Sequence, residues 1–204
     1  MVTVTLPGLR EAAVNLALAL LFGSFAWIHL RSFAIHPRPS VLLLVVMESL
    51  AALLFVFRQP AQRTSFSGWS WLTTIGGTFA PFLLRPTGAA ADLAVGQIIQ
   101  ATGAGMAVVA LASLNRSFGL LPALRGVQQE GAYRVVRHPL YAAYTIQNLG
   151  YLGSNLSAWN FAIVLVALGF QVLRVMNEER LLSSAPGYRA YMLRTRWRLL
   201  PFLF

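Results

Sequence analysis

The sequence contains no cysteine, which excludes disulfides, thiolate nucleophiles and thiolate metal ligands. Its three histidines, His29, His36 and His138, are too few and too scattered for an ordinary zinc site. We therefore expect no bound metal, and any chemistry must use oxygen and nitrogen groups.

Charged residues are also scarce, at 11% of 204 residues against 57% hydrophobic ones, far from the balance of a soluble globular chain. There is no lysine, so the net charge of +10 comes from 16 arginines against six acidic residues. Nucleic-acid-binding proteins present arginine on a charged surface, and this chain has too little polar surface to build one. The composition predicts an integral membrane protein in contact with lipid that does not bind nucleic acid.

Apolar stretches divide the chain into candidate spans, each of which needs about 20 mostly apolar residues in a helix. Six such stretches cover residues 12–30, 41–57, 70–84, 89–114, 139–156 and 158–176. The third is short and contains Gly76, Gly77 and Pro81. The sequence therefore predicts an all-α, polytopic membrane bundle of five or six transmembrane helices. The first stretch lacks the pattern of a cleavable signal peptide, so we expect the mature protein to keep it.

The arginines also predict orientation, because basic residues near span ends are retained in the cytoplasm. With five or with six spans, most arginines lie on the side that holds residues 115–138 and the tail, Ser183–Phe204. We expect residues 115–138 to form an ordered cover over the helix ends. The tail alternates arginine with apolar residues, which predicts a short interfacial amphipathic helix with Tyr188, Tyr191 and Trp197 at headgroup depth.

Two polar clusters flank the last predicted hairpin. Arg137, His138 and Tyr141 lie at the start of the fifth helix, and Arg174, Glu178 and Glu179 lie at the end of the sixth. Because the fifth helix crosses the membrane and the sixth returns, we expect the two clusters to meet at the cytoplasmic face. Arg174 and Glu178 are one helical turn apart and share a face. From spacing alone, a binding site and a structural ion pair are equally supported.

The same residues resemble a known family. The sequence GVQQEGAYRVVRHPLY at 126–141, the run EERLL at 178–182, Tyr188-x-x-Tyr191 and an arginine-rich run ending in Pro201 resemble the isoprenylcysteine carboxyl methyltransferase family. These integral membrane enzymes are related to the phospholipid N-methyltransferases. The resemblance covers residues 115–204, whereas residues 1–114 carry no family motif and contribute transmembrane helices of unassigned role.

The resemblance implies that residues 115–204 form a methyltransferase core that binds S-adenosylmethionine at the cytoplasmic end of the last two spans. The implied cofactor-binding residues are Arg125, Gly126, Val127, Gln128, Tyr133, His138, Pro139, Leu140, Tyr141 and Glu178. The implied acceptor-binding residue is Arg174. A further family contact before Arg125 has no clear counterpart, because residues 117–124 differ from the family in length and content.

Methyl transfer from a sulfonium is a direct displacement that needs no metal or covalent intermediate. Arg174 could hold a carboxylate acceptor without a general base. An amine or thiol acceptor must lose a proton, and His138 or Glu179 would be the nearest base. We therefore expect a membrane methyltransferase, in a bacterial inner membrane by its composition, acting on a small lipophilic acceptor. The alternatives are an enzyme that methylates a phospholipid or an amine, a transporter, and a structural subunit.

Two acidic residues fall inside predicted spans, where an unpaired carboxylate is costly. We interpret Glu48 as a protonated or hydrogen-bonded structural group, and a place in an acceptor tunnel is the alternative. Asp92 begins the fourth stretch. The glycines further along that stretch, Gly96, Gly103 and Gly105, predict close packing between helices.

Overall fold

The computed structural model describes residues 8–35, 37, 39–85, 87 and 94–204, and it is mostly helical (74%). The described residues form seven α-helices: α1 Gly8–Ile35, α2 Pro39–Phe57, α3 Gly68–Phe79, α4 Ala94–Leu114, α5 Pro139–Ser154, α6 Ala158–Leu182 and α7 Tyr188–Arg194. Short 3-10 helices cover Ala80–Leu83, Asn115–Ser117 and Gly131–Arg134. Two short strands, β1 Arg63–Thr64 and β2 Ala123–Leu124, pair antiparallel.

All six predicted apolar stretches coincide with helices. The third is helical through Gly76 and Gly77 and narrows at Ala80 into the 3-10 helix that contains Pro81. The beginning of the fourth stretch, including Asp92, lies outside the described residues.

Three helices are long and apolar enough to cross a membrane: Gly8–Ile35, Ala94–Ser117 and Ala158–Leu182. The apolar part of α2, Val41–Phe57, is shorter. Large apolar side chains lie on the outside of the long helices, where Leu20, Ile98 and Leu165 are all more than half exposed. Such a surface is typical of contact with lipid. The total of five or six spans stays a prediction.

Helices α4 and α5 pack through glycine. A Cβ atom on Gly103 would lie 2.7 Å from the backbone nitrogen of Gln147, and one on Gly150 would lie 2.6 Å from that of Gln100. The two backbones therefore approach to a distance that only glycine permits. The packing predicted from the α4 glycines is confirmed at Gly103. It is wrong at Gly105, where an added Cβ would meet no atom within 4 Å.

Helix α3 turns a polar face towards α6. Ser70, Thr73 and Thr74 are fully buried, and Asn177 of α6 donates from Nδ2 to the Ser70 hydroxyl at 2.8 Å. Thr73 Oγ1 instead donates within its own helix to the Trp69 carbonyl at 3.0 Å, and Thr74 Oγ1 has no partner among the described residues. Polar contacts hold α3 in place, which is why hydropathy alone describes it poorly.

Asn160, near the start of α6, stabilises the end of the bundle that lies opposite the two polar clusters. Its Oδ1 accepts the Arg85 backbone N–H at 2.9 Å. Its Nδ2 donates to the carbonyls of Arg85 at 2.8 Å and of Asn155 at 2.7 Å. One buried amide thus joins the chain after α3 to the α5–α6 turn.

Residues 115–138 form the ordered cover predicted from the sequence. Strand β2 pairs with β1, and the Gln59 N–H donates to the Arg116 carbonyl at 2.8 Å. Arg116 Nε in turn donates to the carbonyl of Phe57 at 2.8 Å, and Arg125 Nε donates to that of Gln59 at 3.1 Å. Two arginine side chains therefore bind backbone carbonyls at and beyond the end of α2.

The tail contains the short helix that the sequence predicts, but its tyrosines face the protein. Helix α7 has only seven residues, and Tyr188 and Tyr191 are buried against Leu124 and Ala185 instead of lying at headgroup depth. Gly187, with a φ of 80°, allows the turn that directs the tail back onto the protein. The expectation that these tyrosines face the lipid headgroups was wrong because the apolar side of the tail packs against the 115–138 cover, which the tail's own pattern cannot reveal.

We expect Gly103→Ala to lower the free energy of unfolding by about 1–3 kcal/mol, because the added methyl group must push the α5 backbone away. The matched control, Gly105→Ala, should leave stability unchanged or raise it by up to about 1 kcal/mol through helix propensity. Thermal unfolding in detergent measures both. Equal melting temperatures for the two variants would show that α4 and α5 do not pack through Gly103.

Candidate functional site

The two polar clusters lie in contact, as the hairpin geometry predicts. His138 Nε2 lies 3.3 Å from Glu179 Oε1, and its Nδ1 lies 3.9 Å from Glu178 Oε2. The Tyr141 hydroxyl donates to Glu178 Oε2 at 3.0 Å. The start of α5 and the end of α6 therefore form one site.

Glu179 is the centre of an ion-pair network. Its Oε1 lies 3.2 Å from Arg137 Nη1 and 3.3 Å from His138 Nε2, and its Oε2 accepts from Arg198 Nε at 2.9 Å. Two backbone hydrogen bonds reinforce the network, since Arg137 N–H donates to the Trp197 carbonyl at 2.8 Å and His138 N–H to that of Arg198 at 2.9 Å. This carboxylate thus ties α5, α6 and the tail together.

A cavity of about 540 Å³ begins beside this network and extends among the helices. Its volume is in the usual range for small-molecule sites. Most residues implied by the family resemblance line it: Arg125, Gly126, Val127, Gln128, Tyr133, His138, Leu140, Tyr141, Arg174 and Glu178.

Two expected residues do not line the cavity, Pro139 and Glu179. Pro139 is buried in the first turn of α5, where its fixed φ suits the start of a helix. Glu179 points into the ion-pair network, and both of its oxygens are engaged there. The structure therefore corrects the expectation that Glu179 acts as a base on the acceptor.

Glu178 is the carboxylate that faces the cavity. Its side chain is 27% exposed, against 9% for Glu179. Tyr141 occupies Oε2, and no side chain in the described ranges hydrogen-bonds to Oε1. The imidazole of His138 stacks on Tyr141 with ring centroids 5.8 Å apart. A cationic ligand group would find an available carboxylate oxygen here.

Arg174 is buried in the cavity wall and, among the described residues, forms no ion pair with Glu178. Its Nη1 donates to Thr78 Oγ1 at 3.1 Å and its Nη2 to the Leu120 carbonyl at 3.0 Å. The guanidinium carbon lies 4.9 Å from the centre of the Tyr141 ring. The Nε atom is buried and has no hydrogen-bond partner in the part of the chain described. The structural ion pair suggested by the spacing is thus absent, and a rigid guanidinium with a spare donor takes its place.

Three tyrosines line the cavity near the tail: Tyr133, Tyr188 and Tyr191. The Tyr191 hydroxyl donates to the Tyr133 carbonyl at 2.8 Å. The Tyr188 hydroxyl is buried and has no partner within the described ranges. Burial raises the pKa of all three, to about 12 for Tyr191, so they stay protonated at neutral pH. Sequence reasoning missed Tyr188 and Tyr191 as cavity residues, although the pair belongs to the quoted family pattern.

The segment that departs from the family pattern supplies another part of the wall, with Ser117, Phe118, Gly119, Leu120, Leu121 and Ala123. Arg125 at its end is buried. Burial, and secondly the charge of Arg58, lower the pKa of Arg125 to about 10, which leaves it cationic at neutral pH. A Cβ atom on Gly119 would collide with the Arg125 guanidinium, so glycine makes room for this cation.

The inner part of the cavity reaches Glu48 on α2. Glu48 is buried, and its Oε2 lies 2.7 Å from His29 Nδ1 on α1. Both residues line the cavity. The interpretation of Glu48 as a hydrogen-bonded group is confirmed, and Glu48 also has the wall position that was the alternative. His29 was not singled out, because its partner is 19 positions away and on another helix.

Comparisons with known proteins identify no family. No family model matches the chain, and no curated protein matches it.

We expect Glu179→Gln to destabilise the protein by about 3 kcal/mol, because it leaves the buried guanidinium of Arg137 without its carboxylate partner. The released tail should be cut faster by trypsin within its arginine-rich segment. Glu178→Gln is the neighbouring control and should keep the wild-type melting temperature and cleavage rate. An identical response of both variants would contradict the role of Glu179 in holding α5, α6 and the tail together.

Proposed function

We propose that the chain is an integral membrane methyltransferase that uses S-adenosylmethionine and methylates a small lipophilic acceptor. We place its active site at the cytoplasmic face of a bacterial inner membrane, in a bundle of five or six spans. The observation that supports the proposal is the cavity, whose wall combines Glu178, His138 and Arg174 at one end and continues between apolar helices. Such a space lets a water-soluble donor meet a lipid-soluble acceptor.

The cavity wall fits the chemistry of the donor. S-adenosylmethionine, when bound, supplies a methyl group on an electrophilic sulfonium. Glu178 offers a carboxylate for its ammonium group, and the unpartnered Tyr188 hydroxyl and the imidazole of His138 offer donors for its carboxylate. Tyr133 and Tyr191 present aromatic surface for a purine.

The position of Arg174 favours an acidic acceptor. Thr78 and the Leu120 carbonyl fix the direction of the guanidinium, and Nε remains available as a donor. A carboxylate held there is already deprotonated, so the reaction needs no general base. Glu179 lies in the ion-pair network and outside the cavity wall, which leaves His138 as the nearest base for an amine or thiol acceptor, whereas a carboxylate acceptor needs no base. The apolar surroundings exclude water from the transfer.

We expect wild-type protein in detergent to bind S-adenosylhomocysteine, the demethylated product, and Glu178→Gln to weaken this binding at least about tenfold. The reason is the loss of a charge-assisted contact to the ammonium group. Isothermal titration calorimetry measures both affinities. Glu130→Gln, an exposed carboxylate outside the cavity, is the matched control and should bind as the wild type does. Absence of binding to the wild type would refute the proposal.

Arg174→Gln should keep S-adenosylhomocysteine affinity within about twofold, because we place this residue on the acceptor and not on the donor. The rate at which this variant transfers labelled methyl groups into the lipid extract of membranes that contain it should fall at least about tenfold. A parallel loss of product affinity would instead place Arg174 in the donor site.

A further inference from the structure

The cavity continues well beyond the groups that the proposed donor needs. On α5, Asn148 lies two turns beyond Tyr141, which is about 10 Å further into the bundle. The carbonyl of Phe57, at the end of α2, binds Arg116 in the cover. Glu48 lies nine residues before Phe57, which is about 14 Å of helix away from the cover. Both Asn148 and Glu48 line the cavity.

This inner end carries polar groups although the surrounding helices are apolar. The His29–Glu48 pair lies on one side, at 2.7 Å. Asn148 and Gln171, which are 8% and 1% exposed, also line the cavity. Their amide nitrogens, Asn148 Nδ2 and Gln171 Nε2, have no hydrogen-bond partner in the described part of the protein. An unsatisfied buried donor costs about 1–3 kcal/mol, so two of them in one wall indicate a missing partner.

Apolar residues separate the inner end from the ionic end. Phe22 and Phe25 of α1 lie about two turns and one turn from His29 towards the cover, and both line the cavity. The wall thus changes from charged to apolar and back to polar along its length. A pure hydrocarbon ligand would match the middle and leave the inner polar groups unpaired.

A structural role alone does not account for these groups. The His29–Glu48 contact joins α1 to α2, but apolar residues would join two membrane helices without the desolvation cost. The pair also leaves the amide nitrogens of Asn148 and Gln171 without partners. A ligand group that both donates and accepts hydrogen bonds would satisfy both sides of the inner wall.

We propose that the inner end is a hydrogen-bonding subsite for a hydroxyl group on the acceptor. This inference rests on the proposed function, because it takes the methylated group to lie at Arg174. A hydroxyl can donate to Glu48 and accept from Asn148. A carboxylate at this position would face the carboxylate of Glu48. The acceptor class is therefore a lipophilic acid with a hydroxyl group at the other end of its chain.

The test compares two probes, dodecanoate and ω-hydroxydodecanoate, which differ only in the terminal hydroxyl. The full chain in detergent is saturated with S-adenosylhomocysteine, and calorimetry gives the affinity ratio of the two probes. Partition into detergent is the same for every variant, so a change in this ratio between variants reports the protein alone.

The ratio in favour of the hydroxylated probe should fall at least about fivefold in the double variant His29→Leu, Glu48→Leu and in Asn148→Leu. Met47→Leu is the matched control, because Met47 also lines the cavity beside Glu48 but has no strong hydrogen-bonding group. It should keep the wild-type ratio.

The possible failures are distinguishable. Wild-type protein that binds no S-adenosylhomocysteine would refute the proposed function and this inference with it. Loaded wild-type protein that binds neither probe, or equal probe ratios in the wild type and the double variant, would overturn the subsite alone. If the double variant loses S-adenosylhomocysteine binding through misfolding, Asn148→Leu carries the test, and an unchanged ratio there overturns the inference.

Discussion

The Glu179 carboxylate lies where three parts of the chain converge, and it accepts contacts from Arg137, His138 and Arg198. Consecutive residues on a helix point about 100° apart. While Glu179 neutralises the two arginines, Glu178 is turned towards the cavity and keeps one oxygen without a hydrogen bond from the described side chains. Because the two side chains are adjacent on one helix, placing Glu179 in the ion-pair network also points Glu178 towards the cavity.

All seven α-helices of the described residues contribute to the cavity wall, and the interfaces between them differ in chemistry. Between α4 and α5, Gly103 and Gly150 allow backbone contact. Between α3 and α6, the Ser70–Asn177 hydrogen bond accompanies the packing of the Phe170 ring against Gly76. Such short-range contacts suit a bundle that must enclose space, because hydrophobic driving force between helices is weak in lipid. The helices can surround a cavity only if the few surfaces that touch fit closely.

Much of this arrangement could be predicted from sequence, and the failures have physical causes. Hydropathy gave the six helices, and the helical hairpin predicted that His138 and Glu178 would meet. The pattern could not tell which of two adjacent glutamates faces the cavity, since that depends on where Arg198 returns. Nor could it show that Tyr188 packs inward or that His29 reaches Glu48, because both contacts require the tertiary fold.

The positive charge of the chain is part of its architecture. Arg116 and Arg125 bind carbonyls at and beyond the end of α2, and Arg174 bridges Thr78 and Leu120. A planar guanidinium can hold acceptors in several fixed directions, whereas an ammonium on a flexible stem cannot. Recoding every arginine as lysine would keep the charge asymmetry that governs insertion. It would nevertheless remove the guanidinium hydrogen bonds that connect the cover to the bundle. The charge of these side chains and their hydrogen-bonding geometry therefore have separate roles, the first in membrane orientation and the second in folding.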